Sequence, residues 1–517
     1  MTTMWRRAVW GIVLALGVFA GLVVVRDIAL TEPAPDSVSP GLTMHVGPVA
    51  RSCTGVTVNV GDPVQEVIDL HPPGTTFCLA PGIHRLETPL VPRRGDVLAG
   101  QEGAVLSGSK VLSGWRADGG VWRTTGFLPP APSRHGPCEA PTSSCAYAED
   151  VFVDKHPLQR VEFESDVVAG TFHADYGTNT IVIGDDPGSR VVEQAVAPSL
   201  IRATVDNVTV VNLVLEHAAN EAQVGAIENR QIWPPEAGSG WRIQNNEVRY
   251  NHGIGIDFAS SSTVTGNFVH HQGQLGLGAE GTDSVVRDNE VSFNGTAGYD
   301  IEWEAGGIKS WQTERLTLRH NYVHDNVGPG VWTDGGALDT TYEYNRVLDN
   351  WSAGLVHEIS YDATIRHNEI SGNGRRKKGW AWDAGILIQS SGGIKAIEIS
   401  NNIVTGNANG ITLVADSATP GRDRSQEQPA PHGPHVVQNV RVCNNVVTMF
   451  DDERTGVFED AGGGEIFTSN GNEFDANTYH LHSLSESHFA WAGVNVDWTQ
   501  WRDSGNDVNG RATTESR

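Results

Sequence analysis

The sequence predicts an all-β chain wound as a solenoid of parallel coils, on three observations. Between Trp241 and Met449 eight asparagines recur in one setting: Asn246, Asn267, Asn289, Asn321, Asn345, Asn368, Asn402 and Asn445, with several successive spacings of 21, 22, 24 and 23 residues. Each is followed within two residues by an aliphatic side chain, as in IQNNEV, VRDNEV and IRHNEI. A glycine ahead of an apolar residue stands nine residues after five of them, at Gly255, Gly276, Gly298, Gly330 and Gly354. Units this short cannot hold a pair of helices, but they suit one coil of a parallel β-helix, which buries its face only against its neighbours. Asparagines repeating at one corner would stack as a hydrogen-bonded ladder.

A solenoid also resolves the length. Although 517 residues would ordinarily divide into several domains, coils can be added without splitting the core. The expected organisation is coils over residues 51–450, a small β-subdomain inserted at 113–200, and a Trp-rich C-terminal cap at 451–517. The segment PVQEVIDL, from Pro63 to Leu70, has helical apolar spacing, while the stretches after it read as turn-and-strand units. Because the repeat already accounts for Asn294 and Asn350, the sequons there and at Asn207 read as coil corners rather than glycan acceptors.

Ahead of the coils, Arg6 and Arg7 precede an uninterrupted apolar run from Ala8 to Val25. Residues 1–30 therefore read as a signal anchor or a cleaved signal peptide, and residues 31–50, rich in Pro, Ser and Thr, as a linker. Either alternative sends the chain out of the cytoplasm, with membrane contact only through the N-terminal helix. Five cysteines agree with export: Cys53 with Cys78, and Cys138 with Cys145, suit two disulfides. Cys443, in the slot of Ser400 one repeat earlier, reads as a buried structural thiol. Thirty-six basic and 62 acidic residues give a net charge of −26, which repels nucleic acid and anionic lipid.

The helix-then-turn entrance, PGTTFCLAPGIHR, together with the Asn/Gly repeats, resembles right-handed parallel β-helix proteins of the pectate-lyase type. VFVDKHPLQRV and FHADYGTNTIVIGDDP look like the β-subdomain that some carbohydrate-active members insert between early coils. The resemblance implies a polysaccharide or oligosaccharide partner.

Side chains alternate along a strand, so the glycine offset sorts the faces. Positions +1 and +3 are mostly apolar and point inward. Position +4 then points outward and reads Ala259, Glu280, Glu302, Asp334, Glu358, Gln389 and Val414, a carboxylate in four consecutive coils. Asp257 and Asp300 add to the +2 column. Two coils carry insertions, EWEAGGIKSWQTE and RRKKGWAW, and loops added to one flank of a solenoid often border its binding face. They and their neighbours supply Trp303, Trp332, Trp380 and Trp382 for stacking on sugar rings, with Asp383 and Arg375 as polar contacts. Adjacent coils would hold two carboxyls about 5 Å apart, suiting a retaining glycosidase, and alternate coils about 10 Å, near the inverting range.

The spacing of Glu302, Glu304, Lys309 and Ser310 is similar to the cation-and-base element of polysaccharide lyase family six. That resemblance implies Ca²⁺ on Glu302 and Glu304, and Lys309 as the base. In those lyases an arginine follows in the next coil, where this chain reads GVWTDGG, with Asp334 and no arginine. The expected function is an extracytoplasmic polysaccharide-active enzyme with Asp334, Glu358, Glu302 and Lys309 as catalytic residues. Glycoside hydrolysis ranks ahead of uronate elimination or epimerisation because it needs only an acid and a base or nucleophile. The alternative is a non-catalytic envelope protein that binds glycan or a protein partner.

Overall fold

The computed structural model describes residues 44, 47–49, 52–130, 134–141, 143–231, 235–376, 379–416, 431–459 and 463–515. The expected N-terminal helix and most of the linker lie outside these residues, as do Lys377 and Lys378. Among the described residues no helix is long and apolar enough to cross a membrane.

The described chain from Met44 onward winds into three long parallel sheets of 13, 13 and 12 strands, the last strand of the third sheet running antiparallel. One coil takes a strand from each. Thr263–Thr265 lies in the first sheet, Phe268–His270 in the second and Leu275–Thr282 in the third. They pair in parallel with Val285–Arg287, Glu290–Ser292 and Gly306–Glu314 of the next coil. The short strands turn sharply because a residue in the left-handed region precedes each ladder asparagine: Asn245 (φ +52°), Gly266 (+66°), Asp288 (+56°), His320 (+54°) and Tyr344 (+56°). That kink aims the following asparagine inward.

The ladder is continuous. Asn267 donates its backbone N–H and its side-chain amide to Asn289 Oδ1, both at 3.0 Å, and its amide also reaches Ile243 O at 2.9 Å. The pattern runs from Asn246 through all eight expected positions to Asn477, where Asp507 Oδ1 accepts the final amide at 2.9 Å. Buried amides are tolerated only when so satisfied. A second ladder follows five residues later in each coil, through Asn251, Gln272, Asn294, Asn326, Asn350, Asn373 and Asn407. The sequon asparagines Asn294 and Asn350 are thus fully buried rungs.

Between the ladders runs the core. Ile256, Leu277, Ile308, Val331, Leu355, Ile386 and Ile411 stack in register, each buried. The ends are closed as a solenoid requires. Helix Val64–Asp69 buries Val64 and Ile68 at one end, and helix Trp498–Asp503 buries Trp501 at the other. Asp497 and Gln500 form a capping box on the latter, and Asp507 also accepts from Tyr479 (2.8 Å) and Trp501 (2.9 Å).

Residues 109–195 leave the coils as two small, mainly antiparallel sheets of four and five strands packed over Val151, Phe172, Ile181 and Ile183. Disulfides join Cys53 to Cys78 and Cys138 to Cys145. Cys443 pairs in register with Ser400 as expected, but it is only half-buried, because its strand borders solvent on that face.

The coil register needs one correction. The glycine column is Gly276, Gly307, Gly330, Gly354 and Gly385, each one's space bounded by the backbone carbonyl of the next. Gly298 does not belong to it. Residues 297–305 form an insertion ahead of the third-sheet strand, so Glu302 and Asp300 sit in a loop, while Lys309 and Trp311 take the two outward positions. The outward column therefore reads Glu280, Trp311, Asp334, Glu358, Gln389, and the four-carboxylate ladder is broken at its second rung.

Candidate functional site

The third sheet's outward face is walled by insertions at two corners. Residues 297–305, and residues 374–376 with 379–383, both enter from the second sheet, and a hairpin pairing Arg230–Gln231 with Glu236–Ala237 rises on the opposite edge. Between the first of these insertions and the hairpin lies a cleft of about 780 Å³, floored by the strands carrying Lys309, Trp332, Asp334 and Glu358. A smaller cavity of about 350 Å³ adjoins it, sharing Glu302, Trp332 and Glu358 and adding Trp382, Asp383 and Arg376.

Lys309 is the centre of the charge arrangement. Its strand position faces outward, yet the 297–305 insertion folds over it and leaves it 8% exposed. The ammonium stands 3.1 Å from Asp334 Oδ2 and 3.3 Å from Glu304 Oε1, donates to Trp303 O at 3.0 Å, and lies 3.7 Å above the Trp332 ring. Four interactions on one ammonium fix both the loop and the carboxylates. Trp332 in turn donates its indole N–H to Glu358 Oε2 at 2.9 Å. Glu358 follows His357, which pairs with Thr333, so Asp334 and Glu358 take the same outward position on neighbouring coils, whose strands stack about 4.8 Å apart. Neither is a solvated surface acid: Glu358 is buried and Asp334 intermediate. Beneath them Tyr342 links Thr333 and His357 inside the core, where burial lowers the His357 pKa to about 4. His357 therefore faces away from the cleft.

Trp311, 44% exposed, presents a face to the cleft beside Asp334. Gly335, at φ +68°, makes room for it, since a Cβ there would overlap the indole. At the far end Arg230 bridges Asp257 (2.6 Å) and Glu280 (2.8 Å). Asp257 and its neighbour Glu228 are fully buried, and burial raises both pKa values, that of Glu228 further because Asp257 is adjacent.

The structure brings together Asp334, Glu358, Lys309, Glu302, Glu304, Trp303 and Trp332 in one cleft, and Trp382 and Asp383 in the cavity beside it. Asp383 is buried and accepts from Ser352 at 2.8 Å. Trp380 and Arg375 lie elsewhere, lining a separate depression, and Arg375 pairs with Asp349 (2.8 Å) and Asp325 (3.3 Å). Its neighbour Arg376 is the one that turns to the cleft side, 3.3 Å from both Glu302 and Asp383. Trp311, one of six tryptophans that the sequence gathers in the inserted coils, reaches its outward position only in the corrected register, and Arg230 and Glu236 are placed only by the folded hairpin.

Glu302 and Glu304 do not fit calcium in this arrangement. Their carboxylates pair with Arg376 and Lys309, and among the described residues no group of three or more His, Cys, Asp or Glu is placed to hold a metal ion.

A disulfide-closed loop braces the site from behind. Glu139 donates its N–H to Gly298 O at 2.9 Å, Cys138 bridges Tyr299, and Gly136 and His135 meet the Trp303 ring. His252 holds the other end of the loop through Cys145 O (2.7 Å) and Asp150 (2.9 Å).

The parallel coils, stacked amides and cross-coil cleft define a right-handed parallel β-helix, and residues 236–421 match the family model described as a right handed beta helix region. Among solved structures the chain is similar to the complex of XylC with xylose, at 15% identity over 81% of this chain and 80% of that one, with a TM-score of 0.56. It also aligns with the mannuronan C-5 epimerase AlgE6 A-module of Azotobacter vinelandii (15% identity, 88% and 94% coverage, TM-score 0.48). A third match is the catalytic unit of a GH87 alpha-1,3-glucanase from Streptomyces thermodiastaticus strain HF3-3 (11% identity, 91% and 72% coverage, TM-score 0.47). At 15% identity the likeness to the XylC structure bears on the fold alone. A sequence comparison with curated proteins found no match.

Proposed function

We propose that the chain is an extracytoplasmic glycoside hydrolase that cleaves a polysaccharide in this cleft with retention of configuration. The carrying observation is the pairing of Asp334 and Glu358 on neighbouring coils, one held by Lys309 and the other by Trp332. A backbone spacing of about 4.8 Å between neighbouring coils is close to the roughly 5 Å between the carboxyls of retaining enzymes and supports retention over inversion. The fold's likeness to a protein complexed with xylose supports a sugar ligand. Both disulfides, and the apolar run from Ala8 to Val25, support a location outside the cytoplasm.

Asp334 is the nucleophile, since the Lys309 ammonium compensates its charge in the resting site. Glu358 is the acid and then the base. In the first step the Glu358 proton passes to the glycosidic oxygen as the bond from C1 breaks, and Asp334 bonds C1. In the second, Glu358 takes a proton from water, whose oxygen bonds C1 and releases Asp334. Trp311 offers exposed indole surface to the sugar rings at the cleft.

The test is a screen of the full chain against nitrophenyl glycosides and polysaccharides, with uronate polymers watched for unsaturated product. Asp334→Asn and Glu358→Gln should each cost about 10²–10⁴ in rate while leaving the circular dichroism of the folded coils unchanged. Proton NMR of the first-formed anomer should show retention. Inversion, unsaturated products, or glycan binding without turnover by the wild type would each overturn the reading, the last in favour of a non-catalytic glycan receptor.

A further inference from the structure

The cleft's charges are unevenly matched. Glu236, Glu280, Glu302, Glu304, Asp334 and Glu358 line it, against two cations, Arg230 and Lys309. Each cation is already held by two carboxylates: Arg230 by Asp257 and Glu280, and Lys309 by Glu304 and Asp334. Arg376, in the adjoining cavity, is likewise shared between Glu302 and Asp383. An incoming carboxylate or sulfate would thus have to displace a resident acid from an ion pair to find a counter-charge among the described lining residues. It would do so in a field set by a surplus of acids in the cleft and a net charge of −26 on the chain. A protonated amine meets the surplus instead: Glu236 is exposed on the hairpin, beside Glu280, which shares Arg230 with Asp257, and Glu302, paired with Arg376, stands across the cleft.

We infer that the glycan taken by this cleft carries amino groups rather than acidic ones: a polymer of 2-amino-2-deoxyhexose with free amines is preferred over its N-acetylated or neutral counterparts, and uronate or sulfated glycans are excluded. The inference rests on the cleft being the glycan site proposed above, but not on hydrolysis taking place there. One added charge contact near 4 Å is worth about 1 kcal/mol even at the dielectric of water, a factor of about five in affinity, and salt screens it.

Calorimetry on the full chain with hexasaccharides of glucosamine, N-acetylglucosamine, glucose and galacturonic acid reads the ranking directly. The glucosamine oligomer should bind at least five-fold more tightly than the two neutral ones at low salt. That advantage should shrink as salt is raised toward molar concentration, and the galacturonate oligomer should show no binding. Glu236→Gln should lower glucosamine affinity about three- to five-fold while leaving neutral oligomers unaffected. A galacturonate oligomer bound as tightly as a neutral one, a neutral oligomer bound as tightly as glucosamine, or amine binding indifferent to salt would each overturn the inference. Because the readout is binding, absence of turnover on every sugar sinks the hydrolase reading while leaving this ranking intact. Conversely, a uronate polymer hydrolysed through Asp334 and Glu358 sinks this inference alone.

Discussion

Replacing Lys309 with Met keeps the side-chain stem over Trp332 and removes only the ammonium. Three polar contacts vanish with it, to Asp334 at 3.1 Å, Glu304 at 3.3 Å and Trp303 O at 3.0 Å, together with the cation over the Trp332 ring. Asp334 and Glu304 each have side chains only 16% exposed, so two carboxylates would be left facing each other with little water to screen them. Removing one member of a buried ion pair costs about 3–5 kcal/mol. The exposed cation–π values of about 0.5–1 kcal/mol lie within that uncertainty rather than adding to it. Since a solenoid's stability is a sum over neighbouring coils, the loss should be local. Hydrogen exchange of the amides in Gly306–Glu314 and in 297–305 should accelerate by at least a hundred-fold, while the terminal coils keep their protection. The double variant Lys309→Met/Asp334→Asn removes one of the stranded charges and should recover about 1–3 kcal/mol relative to additivity. A single variant costing under about 1 kcal/mol, or strict additivity in the double, would refute the claim that this ammonium organises the site.

Three further outcomes follow from the same contacts. Burial raises the carboxyl pKa values of Glu228 and Asp257, so the folded chain retains protons that the unfolded chain releases; their contribution to stability is complete below the ordinary carboxylate range and declines as pH rises toward the folded values. The melting temperature should therefore fall between about pH 5 and about pH 8, and Glu228→Gln should flatten that fall; equal slopes in both proteins would contradict it. The paired substitution Cys138→Ser/Cys145→Ser should raise KM several-fold with little change in melting temperature, since the loop braces the 297–305 insertion and not the coils; an unchanged KM would show the brace to be dispensable. Millimolar Ca²⁺ should leave the melting temperature of the full chain unmoved, and a reproducible rise, diagnostic of a site occupied in the native state, would restore the calcium reading of Glu302 and Glu304.

The fold was legible because its determinants are periodic. Asn246 through Asn445 mark one corner in every coil, and the inward column of Ile, Leu and Val follows from the same offset. The second ladder, five residues further on, was equally written in the sequence at Asn326, Asn350 and Asn373, and a search for a second period would have found it. The site was less legible for a specific reason. Gly298 stands at the column's offset by coincidence, although the residue after it, Tyr299, is too large for a position filled elsewhere by Ile, Leu or Val. Gly307, followed by Ile308 and Ser310, matches Val331 and Thr333 far better, and only that choice places Lys309 on the sheet and Glu302 in the loop. The same choice puts Trp311 in the outward column, whereas Arg230 and the grip of the Cys138 loop on Tyr299 depend on contacts between distant segments, which no local spacing encodes.

The glycine column and the second ladder are two halves of one joint. A Cβ on Gly307, Gly330, Gly354 or Gly385 would come within 2.6–3.0 Å of the amide nitrogen of the ladder asparagine in the next coil, at Asn326, Asn350, Asn373 and Asn407 respectively. Both members are fixed by this fit, whereas the chain between an asparagine and the following third-sheet strand is not. Two coils spend it on the insertions that wall the cleft, and others cross it in a few residues. In evolutionary terms the corner is an exchange point: segments such as 297–305 and 374–383 can be lengthened, trimmed or replaced without renegotiating the joint. A descendant of this chain can thus acquire a different sugar preference by grafting one loop, while a drift in the glycine or its asparagine must be met by a change in the other.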